Sequence, residues 1–225
     1  MLDFSLKIAK LECPACSHSF TSAVPAFVSQ VTSESSIETD LHRIYSSSAF
    51  RGSTVGMCTK CGYASWLRAF KVSADEQNVE AEKSTTEADL RKYARAYVYG
   101  KQHKLNHLEL GLIALNASWC ARDAKVADAG WMSIAREELE RALRHPSNRK
   151  DRGFYQFLLG ELCRQESDFK KALQHFDLSV AGQRLPESLI TRQKVQARSA
   201  DSARTLLPPY LVENLFCPVK TFNAA

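Results

Sequence analysis

Apolar and polar residues follow two rhythms along this chain, and the change between them falls near residue 73. Phe4-Ser5-Leu6-Lys7-Ile8-Ala9-Lys10-Leu11 largely alternates, the period of a half-buried strand. Phe50 to Met57 and Tyr63 to Phe70 predict two further strands. Before them, Ile37, Leu41, Ile44 and Tyr45 recur at helical spacing, which predicts an ordered segment over 37–45. The serine-rich stretch Ser29 to Ser36 before it predicts an exposed loop.

Beyond residue 73 the period becomes helical. Ser73-Ala74-Asp75-Glu76 has the form of a capping box, followed by a polar linker over 78–86. Leu90, Tyr93, Ala94, Tyr97 and Val98 form one stripe, broken at Gly100. Leu105, Leu108, Leu112, Leu115 and Trp119 form the next in strict three-four alternation. Three more stripes run through Trp131 to Leu143, Phe154 to Leu162, and Phe169 to Val180. A sixth helix is expected over 187–203. The fold class this predicts is α+β, a small β module followed by antiparallel helices.

Composition changes that picture little. The 225 residues are 44% hydrophobic and 24% charged, ordinary for a soluble domain. No run is apolar enough for a signal peptide or a membrane span, so a cytoplasmic setting without membrane partners is expected. The net charge of +5 is spread thinly: residues 1–72 carry seven Lys/Arg against five Asp/Glu. Phosphate neutralisation supplies most nucleic-acid affinity, so a nearly neutral module does not favour such a partner.

The chemistry lies in two cysteine pairs, Cys13-Pro14-Ala15-Cys16 and Cys58-Thr59-Lys60-Cys61. Each places two thiols one tight turn apart, so two turns can close a four-thiolate shell of Cys13, Cys16, Cys58 and Cys61. Soft thiolates select zinc or iron over magnesium or calcium. A shell of four cysteines has no position left for activated water, so Zn2+ here is expected to be structural. Cys-x-x-Cys-Gly-Tyr also resembles a rubredoxin knuckle, which leaves iron and electron transfer as the alternative. His18, two residues past Cys16, could replace a cysteine as ligand or donate to a thiolate from outside the shell. Cys120 and Cys163 fall on apolar stripes and read as buried small hydrophobes; Cys217 is isolated.

Other constellations are weaker. Glu38, Asp40 and His42 offer acid–base groups with no placed nucleophile, and solvated or turn-capping roles suit them better. Arg141, Arg144, His145, Arg149, Lys150 and Arg152 cluster at one interhelical turn, where cations suit a helix C-terminus. Glycine-rich phosphate loops, Ser-His-Asp signatures and HExxH are absent. No enzyme is expected.

Phe157 to Phe176 resembles one tetratricopeptide repeat, matching at Leu159-Gly160, Asp168-Phe169, Ala172 and Phe176, with Ser167 where glycine is usual. Phe169 then reads as a core aromatic, and the 104–145 hairpin as a degenerate neighbouring repeat. The whole pattern resembles the bacterial DUF2225 family: a CPxC knuckle followed by Phe20, Thr39-Asp40-Leu41 then Tyr45, and Cys58-x-x-Cys61-Gly62-Tyr63-Ala64. That family is of unknown function, so the resemblance implies architecture and a bacterial setting but no catalytic residues. The expected organisation is a zinc-ribbon-like module over 1–72 with a long insert at 17–57, a connecting helix over 73–103, a tetratricopeptide-like domain over 104–205 and a tail over 206–225. The expected role is a non-enzymatic adaptor that contacts another protein through the helices or the ribbon surface. A nucleic-acid-binding zinc ribbon is the competing reading.

Overall fold

A computed structural model describes residues 4–28, 35–45, 48–72, 85–145, 151–179 and 185–212. The elements in order are β1 (Phe4–Glu12), β2 (Ser19–Val28), α1 (Ala49–Gly52), β3 (Val55–Met57), β4 (Ala64–Trp66), β5 (Lys71–Val72), α2 (Thr86–Gln102), α3 (His107–Asp123), α4 (Trp131–Arg144), α5 (Arg152–Gln165), α6 (Phe169–Asp177), α7 (Glu187–Arg198) and α8 (Pro209–Val212). The fold is α+β: small antiparallel sheets near the N-terminus, then helices. Among the described residues no helix is long and apolar enough to cross a membrane.

The chain forms two compact units that are not successive stretches of sequence. Among described residues, the first takes 4–28, 45, 48–72 and 85–131, and the second takes 35–44, 132–145, 151–179 and 185–212. Helices α2 and α3 thus belong with the strands, and the 35–44 segment belongs with the later helices. The 104–145 hairpin is divided, with α3 in the first unit and nearly all of α4 in the second.

In the first unit β1 pairs antiparallel with β2 and with β5, giving the order β2-β1-β5. β2 lies in a stretch that sequence periodicity left as an insert, because Pro25 interrupts its alternation. The strand accommodates Pro25 at the sheet edge, with a register shift between Ser5 and Leu6 opposite it. Only the end of the strand expected over 50–57 forms. Ala49–Gly52 is instead a helical turn, and Gly52 sits where any Cβ would collide with Asp89. Ser48 Oγ donates to Asp89 at 3.0 Å in the same place. The strand expected over 63–70 likewise stops at Trp66 and gives way to a 3-10 turn over Leu67–Ala69.

α2 begins at Thr86, capped by the Thr85 side chain accepting from Ala88 N, and runs through Gly100 to Gln102. Gly100 packs beneath Leu105 and Leu110, where a side chain would clash. α3 starts after Asn106, whose side chain accepts from Glu109 N. Its deepest face is not the leucine stripe. Of the predicted stripe only Leu115 is buried, together with Leu110, Ile113, Ala114, Ala117, Cys120 and Ala121, while Leu105, Leu108, Leu112 and Trp119 are only half-buried. Small residues at 114, 117 and 121 let neighbours approach closely, so packing follows them rather than the larger leucines.

In the second unit α5 is enclosed on all sides from Gln156 to Arg164. Gly160 faces the Phe176 ring of α6, and a Cβ there would lie 2.5 Å from it. Asp168 caps α6 by accepting from Lys171 N, and Ser167 before it takes a positive φ of 64°. Phe176 is fully buried, whereas Phe169 is only half-buried, so the core aromatic of this pair is Phe176. α7 ends at Arg198, short of the expected 203. The residues expected to form the first capping box, most of the serine-rich loop, Val180 and Cys217 lie outside the described residues.

Segment 35–44 is ordered but not helical. Ile37 bridges Arg43, Glu38 N donates to His42 O at 2.9 Å, and Leu41 turns the chain at φ 66°. Its backbone also bonds the chain after α7: Leu207 N donates to Ile37 O at 2.7 Å, and Thr39 N to Thr205 O at 3.1 Å.

Candidate metal centre

Each cysteine pair occupies the loop of a β-hairpin. Glu12 pairs with Ser19 and Met57 with Ala64, so residues 13–18 and 58–63 are the two loops. Their backbone bonding is the same. Cys13 N donates to His18 O at 3.0 Å, and Cys58 N donates to Tyr63 O at 2.8 Å. Ser17 N donates to Cys13 O at 2.8 Å, and Gly62 N to Cys58 O at 3.0 Å. Both loops need a left-handed residue at the fifth position, filled by Ser17 at φ 54° and Gly62 at φ 72°.

The two loops bring Cys13, Cys16, Cys58 and Cys61 together, with all four Sγ atoms within 4.8 Å of one another. Cys13 Sγ lies 3.7 Å from Cys61 Sγ, and Cys16 Sγ lies 3.7 Å from Cys58 Sγ. Tetrahedral zinc with thiolate bonds near 2.3 Å separates its ligands by about 3.8 Å, so the shell fits one such ion. The same distances are far too long for disulfides. Cys13 and Cys58 are buried within a cluster of Ala9, Leu11, Phe20, Val24, Leu67 and Phe70, while Cys61 is exposed. Tyr63 packs edge-on against Phe70 and Tyr99 beside it.

As free thiols Cys13, Cys16 and Cys58 feel different surroundings. Burial pushes Cys13 up to about 12, against the pull of the Ala15 and Cys16 N–H groups. At Cys16 the N–H of His18 pulls down, but burial and the Cys61 and Cys58 thiols leave it raised. Burial also acts on Cys58, yet the N–H groups of Cys61 and Lys60 and the neighbouring thiols outweigh it and bring it to about 7. A divalent cation held here would displace the thiol protons of Cys13 and Cys16, while Cys58 gives up its proton most readily of the three. His18 serves through its backbone, and its ring is not part of the ligand cluster.

The other candidates stand in hydrogen-bonded, ion-paired or buried settings. His42 is buried with Nδ1 2.7 Å from Glu38 Oε2, and Asp40 Oδ1 accepts from His42 N at 3.2 Å. The three close the 35–44 turn, capping it as expected, but from the interior rather than from solvent. Of the cation cluster, Arg141 pairs with Glu137 and Glu138, and Arg152 Nη1 donates to Leu143 O at 2.7 Å, capping α4. Arg149 and Lys150 lie outside the described residues. Cys120 and Cys163 are buried.

The residue that sequence reading missed is Arg164, fully buried on α5. Its Nε and Nη2 donate to the two Glu161 oxygens at 3.0 Å each, Nη1 donates to Asp201 O and Ala203 O, and Nη2 also donates to Thr39 Oγ1 at 3.1 Å. All five guanidinium hydrogens are used. Burial raises Glu161 above the usual carboxylate range, with Arg164 pulling against it. The Thr39 of the Thr-Asp-Leu motif is therefore a docking residue.

Two hairpin loops that converge four thiols on one point define an α+β protein with a four-cysteine cluster able to hold a metal ion. The family model for DUF2225, described as an uncharacterized protein conserved in bacteria, matches residues 6–200, and the chain belongs to that family. No curated protein and no solved structure matches the chain.

Proposed function

We propose that this protein is a cytoplasmic, non-enzymatic adaptor whose four cysteines hold a structural Zn2+ and whose helical unit docks another protein. The closed cysteine shell carries the reading: at 3.7 Å across each pair, thiolates occupy every tetrahedral position and leave none for substrate or water. Zinc there adds folding free energy to a small β unit, on the order of 10 kcal/mol at neutral pH. On the helical unit Leu178 at the end of α6 and Val195 on α7 are more than half exposed, the kind of side chain a protein partner covers.

The test is affinity purification from the native host with wild type and a Leu178→Glu/Val195→Glu variant. A protein retained by the wild type and lost from the variant, at equal zinc content and helicity, supports the reading. Retention of nucleic acid that falls steeply with salt, or of nothing specific, overturns it. Zinc in a colourless protein is expected; a red protein containing iron would replace the structural shell by a redox centre.

A further inference from the structure

A second cluster of ligand atoms lies wholly within the helical unit. Glu140 on α4, Cys163 on α5 and His175 on α6 bring a carboxylate oxygen, a thiol sulfur and an imidazole nitrogen within 4.8 Å of one another. Three different helices supply them, so no sequence spacing announces the group. Cys163 is fully buried, and Glu140 and His175 are half-buried, which leaves a route in from their side.

The surroundings prepare the imidazole. His175 Nδ1 stands 2.6 Å from Oε1 of Gln156, itself a buried side chain. An amide oxygen only accepts, so Nδ1 carries the hydrogen and Nε2 keeps its lone pair for a ligand bond. Burial holds His175 below its ordinary value, which keeps the ring neutral at pH 7. Two cations face the group: Arg136 lies against the Cys163 sulfur and pairs with Glu166, its Nε 2.9 Å from the carboxylate, and Lys171 acts on His175 and pairs with Asp168 at 3.4 Å, so each has a carboxylate partner outside the cluster. Burial pushes the Cys163 thiol up to about 11, with Arg136 pulling it back, so this thiol stays protonated until something displaces the proton.

One thiolate, one imidazole and one carboxylate form a borderline-soft donor set that suits zinc and disfavours magnesium or calcium. We infer that Glu140, Cys163 and His175 form a second metal site, which takes one Zn2+ through three protein ligands with water in the fourth position. Binding displaces the Cys163 proton to solvent, and the ion is held more weakly than in the four-cysteine shell because one ligand fewer is fixed. The site ties α4, α5 and α6 together and exchanges its metal while the closed shell keeps its own.

The experiment titrates the full-length, zinc-loaded protein with Zn2+ by calorimetry and then exchanges Co2+ into it for absorption spectroscopy. Wild type is expected to take one exchangeable equivalent beyond the tightly held one. Cys163→Ser and His175→Gln should each lose it while the four-thiolate cobalt spectrum persists. Gln156→Ala, which frees the His175 ring without removing a ligand, should weaken that equivalent about 10- to 100-fold. Glu140→Gln lies on a half-exposed helix position and guards against misfolding of the buried variants; it too should weaken the second ion. Saturation of the wild type at one equivalent overturns the site, as does a second equivalent unchanged in Glu140→Gln. Cys58→Ser should abolish the four-thiolate spectrum yet retain the second equivalent, so failure of either site is read separately.

Discussion

Both units join segments far apart in sequence, and they do so by opposite means. The first brings Cys13 and Cys16 to Cys58 and Cys61, using four side chains whose only common feature is affinity for a soft cation. The second brings Thr39 to Arg164, 125 residues away, using a buried guanidinium that satisfies every donor it has. A thiolate shell depends on an ion the chain does not encode. A buried ion pair depends only on geometry, but costs heavily once a partner is removed.

The largest expected effect tests the first means. Cys58→Ser removes one ligand from the shell and a buried thiol from the core around Leu11, Phe20 and Phe70. It should release the metal and unfold the strands, a loss on the order of 10 kcal/mol of metal-linked folding free energy. Metal analysis with circular dichroism checks this, and the helices of the second unit should keep their signal. Unchanged metal content would remove the four-cysteine assignment.

Arg164→Ala tests the second means. Glu161 would be left buried without its cation, at a cost of about 3–5 kcal/mol in denaturant unfolding. The pH dependence has a definite sign. Removing the guanidinium raises the folded-state Glu161 carboxyl further, so its contribution is present below the unfolded value and is lost as pH rises. The deficit relative to wild type should therefore shrink as the pH falls from 7 towards the unfolded carboxylate value near 4.3. Arg164→Met with Glu161→Leu should recover most of the stability, since an apolar pair of similar volume removes the stranded charge. A double variant as unstable as Arg164→Ala would show that the Thr39, Asp201 and Ala203 contacts, rather than the ion pair, hold the unit.

The comparison also explains what could be read from the chain. Cysteine pairs are legible because both ligands of a knuckle are local and each turn has a fixed length. The helix stripes are legible in number, but their faces are not: on α3 the inward side carries Ala114, Ala117 and Ala121 with Leu110 and Leu115, and Leu108 and Leu112 lie at its margin. Segment 37–45 has helical spacing and yet forms a turn, because His42, Glu38 and Asp40 bond one another and Leu41 takes a positive φ. Arg164 carries no signal in the sequence, since nothing there places Thr39 or Asp201 beside it. Glu140, Cys163 and His175 stayed hidden for the same reason.

Within the second unit the Gly160–Phe176 contact can be separated from its neighbour. Phe176→Ala should cost about 3–5 kcal/mol as the loss of a fully buried aromatic. Phe169→Ala, half-buried at the start of α6, should cost clearly less. Equal losses in urea unfolding would place the Phe169 ring in the core beside Phe176 and overturn its half-buried assignment.

The smallest effect compares the two knuckles with each other. Gly62 and Ser17 hold the same left-handed place in otherwise matching hydrogen-bond patterns, one with glycine and one without. Gly62→Ala puts a Cβ at φ 72°, and the atom it meets is Arg95 Nη2 at 2.6 Å, the far end of a flexible side chain that can swing away. The cost is then mainly the backbone's, about 1–2 kcal/mol. Ser17→Gly relieves the same backbone cost but frees the unfolded chain by a comparable amount, so its net change should stay within about 0.5 kcal/mol. Thermal unfolding of the metal-loaded protein measures both. A Gly62→Ala variant as stable as wild type would mean that the second knuckle reaches its thiolate geometry without the left-handed turn, and the equivalence of the two loops would end there.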